Sequence, residues 1–564
     1  MKKAIASILA MAMLLGCVGC TSKETTKKKP SKTKKPTTEE TDAPTEDPTD
    51  DPETDPTDDP TGPTGDPGNP TDTIDTTEPS DTDDPTAPYG DPAQVPDPFT
   101  LPSGITIHHD LEKLQLGRDV VYRAYGDVNP DSDYGDMSYV TMKFDELYTI
   151  EGGPIQDSLS DKFTKVAEDA LASYQYDLDK FLQVQQNGST WPGNSYYNVE
   201  TVVYRADSEY VSFILNYMDF GPDYYEFVSV GMNYRTSDGG FITIEEVVTD
   251  MDALYAYVVE TMDPTIYGYE DLIQEVQTGA CAFALTYDGI YIAGFGKVPV
   301  FGNENMFDLS YFGGVPDTYG LILDYNGEAI WDVTEDAALD SVRVTADIDT
   351  EDDGISKLNI SVNGDVYRFD RNDIDNLAVF YGISQELPSY LLRTRNGYYL
   401  VVTLESWYWC DTCVFKLDGN AVRLVNEDDV IVREGYDPDN LRVSDSARLT
   451  GLVSTKEYCF LNEDGSMIGN SIFKEIYAGP YKTLIDRPAN ETNLLTMEIG
   501  DAITLPAGSI VSSIYVVEGA GLLVMRVLDP DDSKTFHVVL ETDCDGMIAG
   551  CFAGEAFSGL SWGE

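Results

Sequence analysis

The sequence is poor in basic residues: its 564 residues include 36 Lys and Arg against 100 Asp and Glu, a formal net charge of −64. Such a chain is a poor partner for nucleic acid, because that binding depends on Lys and Arg contacts to phosphates. Histidine is rarer still, with three in the whole chain. There is no HExxH zinc motif, and no histidine follows Ser561 in the GxSxG pattern at 559–563, so we exclude a serine hydrolase of that kind.

Long apolar segments are also missing, apart from a short run at the start of the chain. Two lysines precede an apolar stretch over 4–15, which is too short to span a bilayer and is typical of a signal peptide. Leu14 to Cys17 fits a lipobox, after which a cysteine is diacylated, and Cys20 offers a second frame. We favour lipidation at Cys17, and we expect a lipid anchor on the outer face of the membrane; a plain secretory signal is the alternative.

Apolar residues are scarce again over 21–98, where Thr, Pro, Asp and Glu dominate. Such a segment cannot bury enough surface to fold, and proline and like charges keep it extended. We predict a disordered acidic stalk that spaces the rest of the chain from the membrane. Residues 1–98 hold 21 acidic and nine basic residues, so the remaining chain holds 79 acidic and 27 basic, a formal charge of −52. The stalk therefore does not explain the acidity.

The folded part is predicted to centre on residues 199–262. Three runs there alternate apolar and polar residues at the period of a strand, with turn residues between them, over 199–206, 210–218 and 227–235. This pattern predicts an antiparallel three-stranded meander.

The residues around this meander have the period of helices. Thr243 and Glu246 stand at capping-box spacing, and apolar residues then fall on one helical face from 254 to 262. We predict two further helices, over 158–182 and around 270–277. The apolar side of the sheet needs a cover, which these helices could supply.

Two motifs then point to a family. The sequence GGFITIEEVV over 239–248 and the sequence ALTYDGIYI over 284–292 follow the meander in order. Together they resemble the extracellular RsiV-type domain, over roughly residues 118–320. That domain is known from a lysozyme-sensing anti-sigma factor, from the non-catalytic N-terminal part of a peptidoglycan deacetylase and from many clostridial lipoproteins.

The resemblance implies an α+β domain, and in one relative it implies recognition of a basic, wall-attacking enzyme. The family often carries Gly-Gly-Ala-His between its second and third strands, whereas this chain has FGPDYY over 220–225. A ligand contact made there by other members is therefore not carried over. Direct control of a sigma factor is not implied either, because it needs a cytoplasmic segment and a membrane span.

The second half of the chain is predicted to be rich in strands. From 324 to 479, Asn-Gly and Asp-Gly pairs of the kind that close hairpins separate strand-like runs. The last segment, 480–564, has short strands and is similar to a small SH3-like barrel. We therefore predict an α+β fold class, with an antiparallel sheet covered by helices at 99–323, followed by all-β modules at 324–479 and 480–564.

Few residues have the spacing of a metal site. Asp349, Glu351 and Asp353, with Gly354, match the start of a calcium loop, but the closing acidic position, 360, is an isoleucine. A solvated hairpin turn is therefore favoured over a Ca²⁺ site, and no other cofactor is expected. The pair at 108–109 could ligate a metal, but a solvated domain edge is the favoured interpretation of these histidines.

Cysteines offer one further motif, Trp409-Cys410-Asp411-Thr412-Cys413. A thioredoxin-like pair needs a helix after its first cysteine, and here a strand pattern follows. A zinc knuckle needs a second pair, and Cys459 stands alone. We interpret the run as a turn between two strands, with Cys410 and Cys413 as possible disulfide partners of each other or of other cysteines.

These observations favour a non-enzymatic, lipid-anchored surface protein that binds a cationic protein or another ligand of the cell wall. A wall-acting hydrolase with an unrecognised carboxylate site remains open, since nothing marks a catalytic pair among so many carboxylates. A structural spacer without a ligand is the third interpretation.

Overall fold

A computed structural model describes residues 96–560 except 129–136, 192, 267, 350–353, 385–386, 407–409, 429, 450, 495, 497, 518–519, 530–533 and 543–546. The predicted signal peptide, the stalk up to residue 95 and the lipidation candidates Cys17 and Cys20 therefore lie outside the described residues. Among the helices that are described, none is both long and apolar enough to cross a membrane.

A five-stranded sheet and one long helix form the first part of the fold. A small ribbon of β1 and β2 precedes them. The elements are β1 (Phe99–Thr100), β2 (Thr106–Ile107), β3 (Leu116–Val128), β4 (Met137–Thr149), α1 (Pro154–Gln186), β5 (Ser195–Ala206), β6 (Tyr210–Gly221) and β7 (Tyr224–Arg235). The sheet order is β3-β4-β5-β6-β7, and β4 and β5 run parallel because α1 carries the chain back between them. The predicted meander is confirmed in β5, β6 and β7, which pair antiparallel.

Helix α1 forms because its apolar residues recur on one stripe and a proline starts its first turn. That stripe packs on one face of the five-stranded sheet, against inward residues of β4, β5 and β6. The helix contributes Ile155, Leu159, Phe163, Val166, Ala170, Tyr174, Leu178 and Phe181 to this core.

Three shorter helices and a three-stranded sheet follow. They are α2 (Ile244–Val247), α3 (Met251–Thr261), α4 (Tyr269–Thr278), β8 (Phe283–Thr286), β9 (Gly289–Ile292) and β10 (Gly296–Pro299). The predicted capping box is present, because the side chains of Thr243 and Glu246 each bond the backbone of the other. The carboxylate of Asp250 accepts a hydrogen bond from the Ala253 amide and so caps α3.

The next strands form a six-stranded and a four-stranded sheet. They are β11 (Tyr319–Ile322), β12 (Glu328–Trp331), β13 (Asp340–Ile348), β14 (Ile355–Val362), β15 (Asp365–Asp370), β16 (Gly382–Ile383), β17 (Tyr390–Thr394), β18 (Gly397–Glu405), β19 (Cys410–Asp418) and β20 (Ala421–Asp428). The six-stranded sheet has the order β11-β17-β18-β19-β20 with β16 beside β18, and the four-stranded sheet is β12-β13-β14-β15. Three 3-10 turns lie at Glu304–Met306, Leu309–Tyr311 and Leu377–Val379.

The last strands belong mainly to an eleven-stranded sheet. They are β21 (Ile431–Glu434), β22 (Leu441–Leu449), β23 (Gly451–Leu461), β24 (Met467–Gly469), β25 (Phe473–Thr483), β26 (Arg487–Thr492), β27 (Ile499–Leu505), β28 (Ile510–Val517), β29 (Leu522–Val527), β30 (Phe536–Glu541), β31 (Met547–Ile548), β32 (Cys551–Phe552), the short helix α5 (Ala553–Ala556) and β33 (Phe557–Ser558). The sheet order is β21-β22-β23-β25-β28-β29-β30-β26-β27, with β24 beside β23 and β33 beside β25.

The α+β fold class predicted from the sequence is wrong. Among the described residues, 52% lie in strands against 17% in helices, and the strands form several sheets rather than one helix-covered domain followed by β modules. The strands assigned to an SH3-like module pair within the eleven-stranded sheet. The physical reason is that α1 covers one face of the five-stranded sheet only, while the residues over the other face come from strands.

That second face meets strands of three other sheets in one core. Tyr204 and Ile214 of the five-stranded sheet pack with Ala284 of β8, with Tyr390 of the six-stranded sheet and with Leu441 of the eleven-stranded sheet. Alternation along a strand tells which residues share a face, but it does not tell which element covers that face.

Candidate functional site

The candidate site lies where β3, β4 and β5 meet β21, β22 and β23. In β4 the apolar residues Met142 and Phe144 face the long helix. Alternation therefore turns Lys143 and Asp145 to the opposite face, toward the eleven-stranded sheet. In the same way Glu200 of β5 faces away from the helix, next to buried Val199.

Two arginines and two carboxylates form a closed set of buried ion pairs there, which we call the arginine cluster: Arg118, Asp145, Glu434 and Arg442. Arg118 Nη1 donates to Asp145 Oδ2 at 2.9 Å, and its Nη2 donates to both oxygens of Glu434 at 2.6 and 2.9 Å. Arg442 donates to Asp145 Oδ2 through Nη2 and to Glu434 Oε1 through Nη1, each at 3.1 Å. The four side chains are at most 4% exposed.

Neutral groups add further hydrogen bonds to the two guanidinium groups. The carbonyl oxygen of Thr201 accepts from Arg118 at 2.8 Å and from Arg442 at 3.2 Å. Arg118 Nε donates to the hydroxyl of Tyr458 at 2.8 Å. Within the described part of the chain, Asp145 Oδ1 and Arg442 Nε are buried without a hydrogen-bond partner. The cluster is therefore fixed in position by many bonds but not fully satisfied.

The electrostatics of these residues follow from burial and close opposite charges. Burial alone would raise the pKa of Asp145, but Arg442, Lys143 and Arg118 hold it well below its ordinary value. For Glu200, burial is outweighed by Lys456 first and Arg442 next, and its pKa falls to about 2. Burial lowers the pKa of Lys456 to about 8, although Glu200 forms an ion pair with its ammonium group.

A cavity of about 170 Å³ adjoins the cluster. Strands β23 and β25 are paired there through one residue pair, Lys456 and Glu475, and the cavity lies around this point. It is lined by Arg442, Lys456, Glu457, Tyr458, Ser471, Phe473, Glu475 and Tyr515. A water molecule takes about 30 Å³ in the liquid, so the cavity has room for a few waters or one group of side-chain size. The arrangement can hold a small polar ligand against fixed charges and aromatic rings.

The sequence did not point to this site. Arg118 and Arg442 are 324 positions apart, and each belongs to a strand whose pattern gave no reason to place it in the interior. The only sequence feature that marks a residue of the cluster is a charged residue directly beside an apolar one, as with Asp145 after Phe144. That signal is shared by any strand with a solvated face, so it does not single out the cluster.

The structure places only one of the three predicted calcium ligands. The Asp349 amide donates to the Gly354 carbonyl at 2.8 Å at the end of the β13–β14 hairpin, and the Asp349 carboxylate lies 3.8 Å from Arg371 Nη2. Glu351 and Asp353 lie outside the described residues. In the part of the chain that is described, no group of three or more His, Cys, Asp or Glu side chains could hold a metal ion.

The predicted cysteine pair lies within strand β19, not in a turn between strands. Cys410 is opposite Glu405 and Cys413 is opposite Val402 in the register with β18. Three strand residues span about 10 Å, more than the roughly 7 Å between Cα atoms that a disulfide permits. Cys413 is a free thiol in the core, and burial raises its pKa. The structure therefore does not bring the two sulfurs together.

Of the two neighbouring histidines, His109 differs from the favoured interpretation of a solvated edge. His108 Nδ1 forms a hydrogen bond with the carboxylate of exposed Asp110, but His109 is buried beside the ring of Tyr319, with 5.9 Å between ring centroids. Burial first, and the charge of Arg393 second, lower the pKa of His109 to about 4. His109 is therefore a neutral interior side chain at physiological pH.

Comparisons with known proteins give structural neighbours only. No protein-family model and no curated protein sequence matches this chain. A solved DUF3298 family structure from Bacteroides fragilis matches 35% of this chain and 95% of its own, with 13% identity and a TM-score of 0.25. One from Pseudomonas aeruginosa matches 35% and 97%, with 15% identity and a TM-score of 0.23. TolB from Acinetobacter baumannii matches 67% and 85%, with 11% identity and a TM-score of 0.12.

At these identities and TM-scores the likeness carries no argument about function, which has to come from the residues of this chain. Over about a third of its length, this chain has DUF3298 family proteins among its structural neighbours.

Proposed function

We propose that this chain is a non-enzymatic surface protein, held on the outer face of a membrane by a lipid on Cys17 or Cys20, that binds a cationic protein or another cationic ligand of the cell wall. The observation that supports it most is the unequal use of charge: eight of the 27 basic side chains in residues 99–564 are at most 19% exposed and are paired with the protein's own carboxylates.

Five basic side chains are at most 4% exposed and each makes an ion pair: Arg118, Arg205, Lys297, Arg393 and Arg442. Lys113, Lys456 and Lys474, which are 19%, 17% and 13% exposed, are also paired with carboxylates. Residues 99–564 contain only 27 basic residues against 79 acidic ones. Internal pairing therefore leaves a surface on which the exposed charge is predominantly negative.

Such a surface attracts cations over about one Debye length, roughly 8 Å at physiological salt, and it speeds encounter with basic proteins. The RsiV-like motifs at 239–248 and 284–292 support the same interpretation, because one relative of that family senses lysozyme, a basic enzyme. The altered segment at 220–225 means that the bound partner need not be lysozyme itself.

The test is titration calorimetry of the full chain with lysozyme at low salt and at about 0.15 M salt. We expect a one-to-one complex that survives the higher salt. Polylysine is the control for charge without shape, and it should bind at low salt only. If lysozyme behaves like polylysine, with no fixed stoichiometry, the chain does not recognise lysozyme specifically and binds it by charge attraction alone.

A further inference from the structure

The cavity beside the arginine cluster has four charged side chains in its wall, and three of them are already neutralised. Each of the three pairs with an opposite charge outside the cavity: Arg442 with Asp145 and Glu434, Lys456 with Glu200, and Glu457 with Lys474 at 3.0 Å. A ligand therefore gains little from these three groups, because their charges are compensated.

The fourth charge is the carboxylate of Glu475. Among the described residues, no hydrogen bond or ion pair reaches it. Its cross-strand neighbours are Lys456 on β23 and Tyr515 on β28, but the ammonium of Lys456 is bound by Glu200 of the five-stranded sheet. Glu475 is half-buried. A partly desolvated anion without a partner is costly, and a bound cation would remove that cost.

Aromatic rings line the same cavity. Phe473 and Tyr515 stand nearly edge to face, with 6.5 Å between ring centroids and an angle of 72°, and Tyr458 lies in the same wall. The negative face of an aromatic ring attracts ammonium and guanidinium groups, most strongly where water is excluded. One carboxylate with three rings is a suitable wall for a single positive head group.

The backbone beside the cavity is strained. Tyr477, two residues after Glu475, has a φ of 47°, in the left-handed region that a bulky side chain rarely adopts. The register between β25 and β28 shifts between Glu475 and Ala478. Such conformations cost on the order of 1–3 kcal/mol and collect where a ligand is held.

The cavity is also the right size for one group. Its volume of about 170 Å³ is below the roughly 300–1,000 Å³ of sites for drug-sized ligands. We propose that this cavity, with Glu475 as its anion and Phe473, Tyr458 and Tyr515 as its rings, binds one ammonium or guanidinium head group, either a Lys or Arg side chain of a bound protein or a free amine. The protein-bound case rests on the proposed function; the free-amine case does not.

The test uses the full chain and n-butylamine, a single ammonium on a short apolar stem, with n-butanol as its neutral counterpart. Binding is followed by saturation-transfer NMR at physiological salt. We expect butylamine to bind and butanol to bind at least about tenfold more weakly. Glu475→Gln keeps the shape and removes the charge, and it should weaken butylamine binding at least about tenfold, as expected for loss of a charged partner.

Two further variants control this result. Glu168→Gln removes the same charge from the exposed side of α1 and should change butylamine binding less than about twofold, because distant surface charge is screened. Phe473→Leu keeps the apolar wall but removes a ring face, and it should weaken butylamine several-fold. A single cooperative melting transition in each variant confirms that it is folded. Equal binding of butylamine by the wild type and Glu475→Gln, or equal binding of butylamine and butanol, overturns the proposal.

A parallel titration with lysozyme separates the two sources of the cation. If Glu475→Gln weakens lysozyme at least about tenfold, a side chain of the bound protein fills the cavity. If lysozyme does not bind the wild type while butylamine does, the proposed recognition of that protein fails, and the cavity is a site for a free amine. If lysozyme binds the wild type and Glu475→Gln equally, the protein-bound form of the proposal is wrong although the proposed function stands.

Discussion

The two faces of the five-stranded sheet are held by opposite kinds of chemistry. On one face, α1 packs Leu159, Phe163 and Val166 against apolar residues of β4, β5 and β6, and these side chains are at most 1% exposed. On the other face, over β3, β4 and β5, two arginines and two carboxylates are buried to nearly the same degree. The side chains on the two faces are buried to a similar extent, but apolar packing stabilises one face and buried ion pairs hold the other.

The difference matters for what each face can tolerate. Apolar packing depends on volume and shape, and its energy is shared among many weak contacts. A buried ion cluster depends on every member, because removal of one partner leaves an uncompensated charge where water cannot reach it. We therefore expect the helix face to respond to substitution locally, and the arginine cluster to respond as a unit.

The largest effect is expected from Arg442→Met, which preserves apolar bulk but removes one of the two cations. Asp145 and Glu434 then share Arg118 alone, and the free energy of unfolding should fall by about 3–5 kcal/mol. Asp145→Asn in the same background should recover part of the loss, so the double variant should be more stable than the sum of the two single effects by about 0.5–3 kcal/mol. Urea denaturation of the four proteins measures this coupling.

The matched control lies on the helix face. Leu159→Ala should cost about 2–5 kcal/mol through lost burial and a residual cavity. Combined with Arg442→Met it should be additive within about 0.5 kcal/mol, because the sheet separates the two sites and they share no partner. Strong coupling between Leu159 and Arg442, or none between Asp145 and Arg442, would contradict the division of the sheet into two independent faces.

An intermediate effect is expected from pH, and only on the charged face. Glu200 has a folded-state pKa of about 2, below its ordinary value of 4.5, mainly because Lys456 outweighs the effect of burial. A carboxylate with a depressed folded pKa contributes stability that is fully present above its unfolded pKa and is lost as the pH falls toward the folded pKa. The contribution of Glu200 is on the order of 3 kcal/mol and should disappear between about pH 5 and pH 2.

Comparison with Glu200→Gln isolates this contribution. The difference in unfolding free energy between the wild type and the variant should be largest near pH 7 and should shrink as the pH approaches 3. Asp145 also titrates in acid, but it is present in both proteins, so its effect largely cancels. A difference that stays constant from pH 7 to pH 3 would show that Glu200 is not held ionised by Lys456.

The sequence predicted the local elements of the helix face well and the charged face poorly. The stripe from Leu159 to Phe181 and the alternation in β5, β6 and β7 are set by residues near one another in the chain, so periodicity reveals them. The partners of Asp145 come from β3, β5 and β22, up to 297 positions away. Pairing over such distances leaves no periodic signal, which is why the fold class and the candidate site were both missed.

The cysteine motif shows that a short local pattern can also mislead. The spacing of Cys410 and Cys413 is short and suggested a turn, but strand β19 begins at Cys410 and runs on through Cys413. The strand period then places the two side chains on opposite faces. A short motif is therefore informative only when the secondary structure on both sides of it is known.

The smallest effect is expected from an exposed ion pair, which completes the comparison with the arginine cluster. Arg423 Nε lies 3.4 Å from Asp418 Oδ2 beside the turn between β19 and β20, and the two side chains are 61% and 57% exposed. Water and salt screen such a pair, and holding two long side chains in one geometry costs entropy. Arg423→Gln should therefore change the free energy of unfolding by less than about 0.5 kcal/mol, and that small change should vanish in about 1 M salt, where the Debye length is roughly 3 Å. The loss caused by Arg442→Met should persist in the same salt, since ions do not enter the buried interface. If the two variants respond to salt alike, the arginine cluster is accessible to solvent and the charged face of the sheet is not a closed interface.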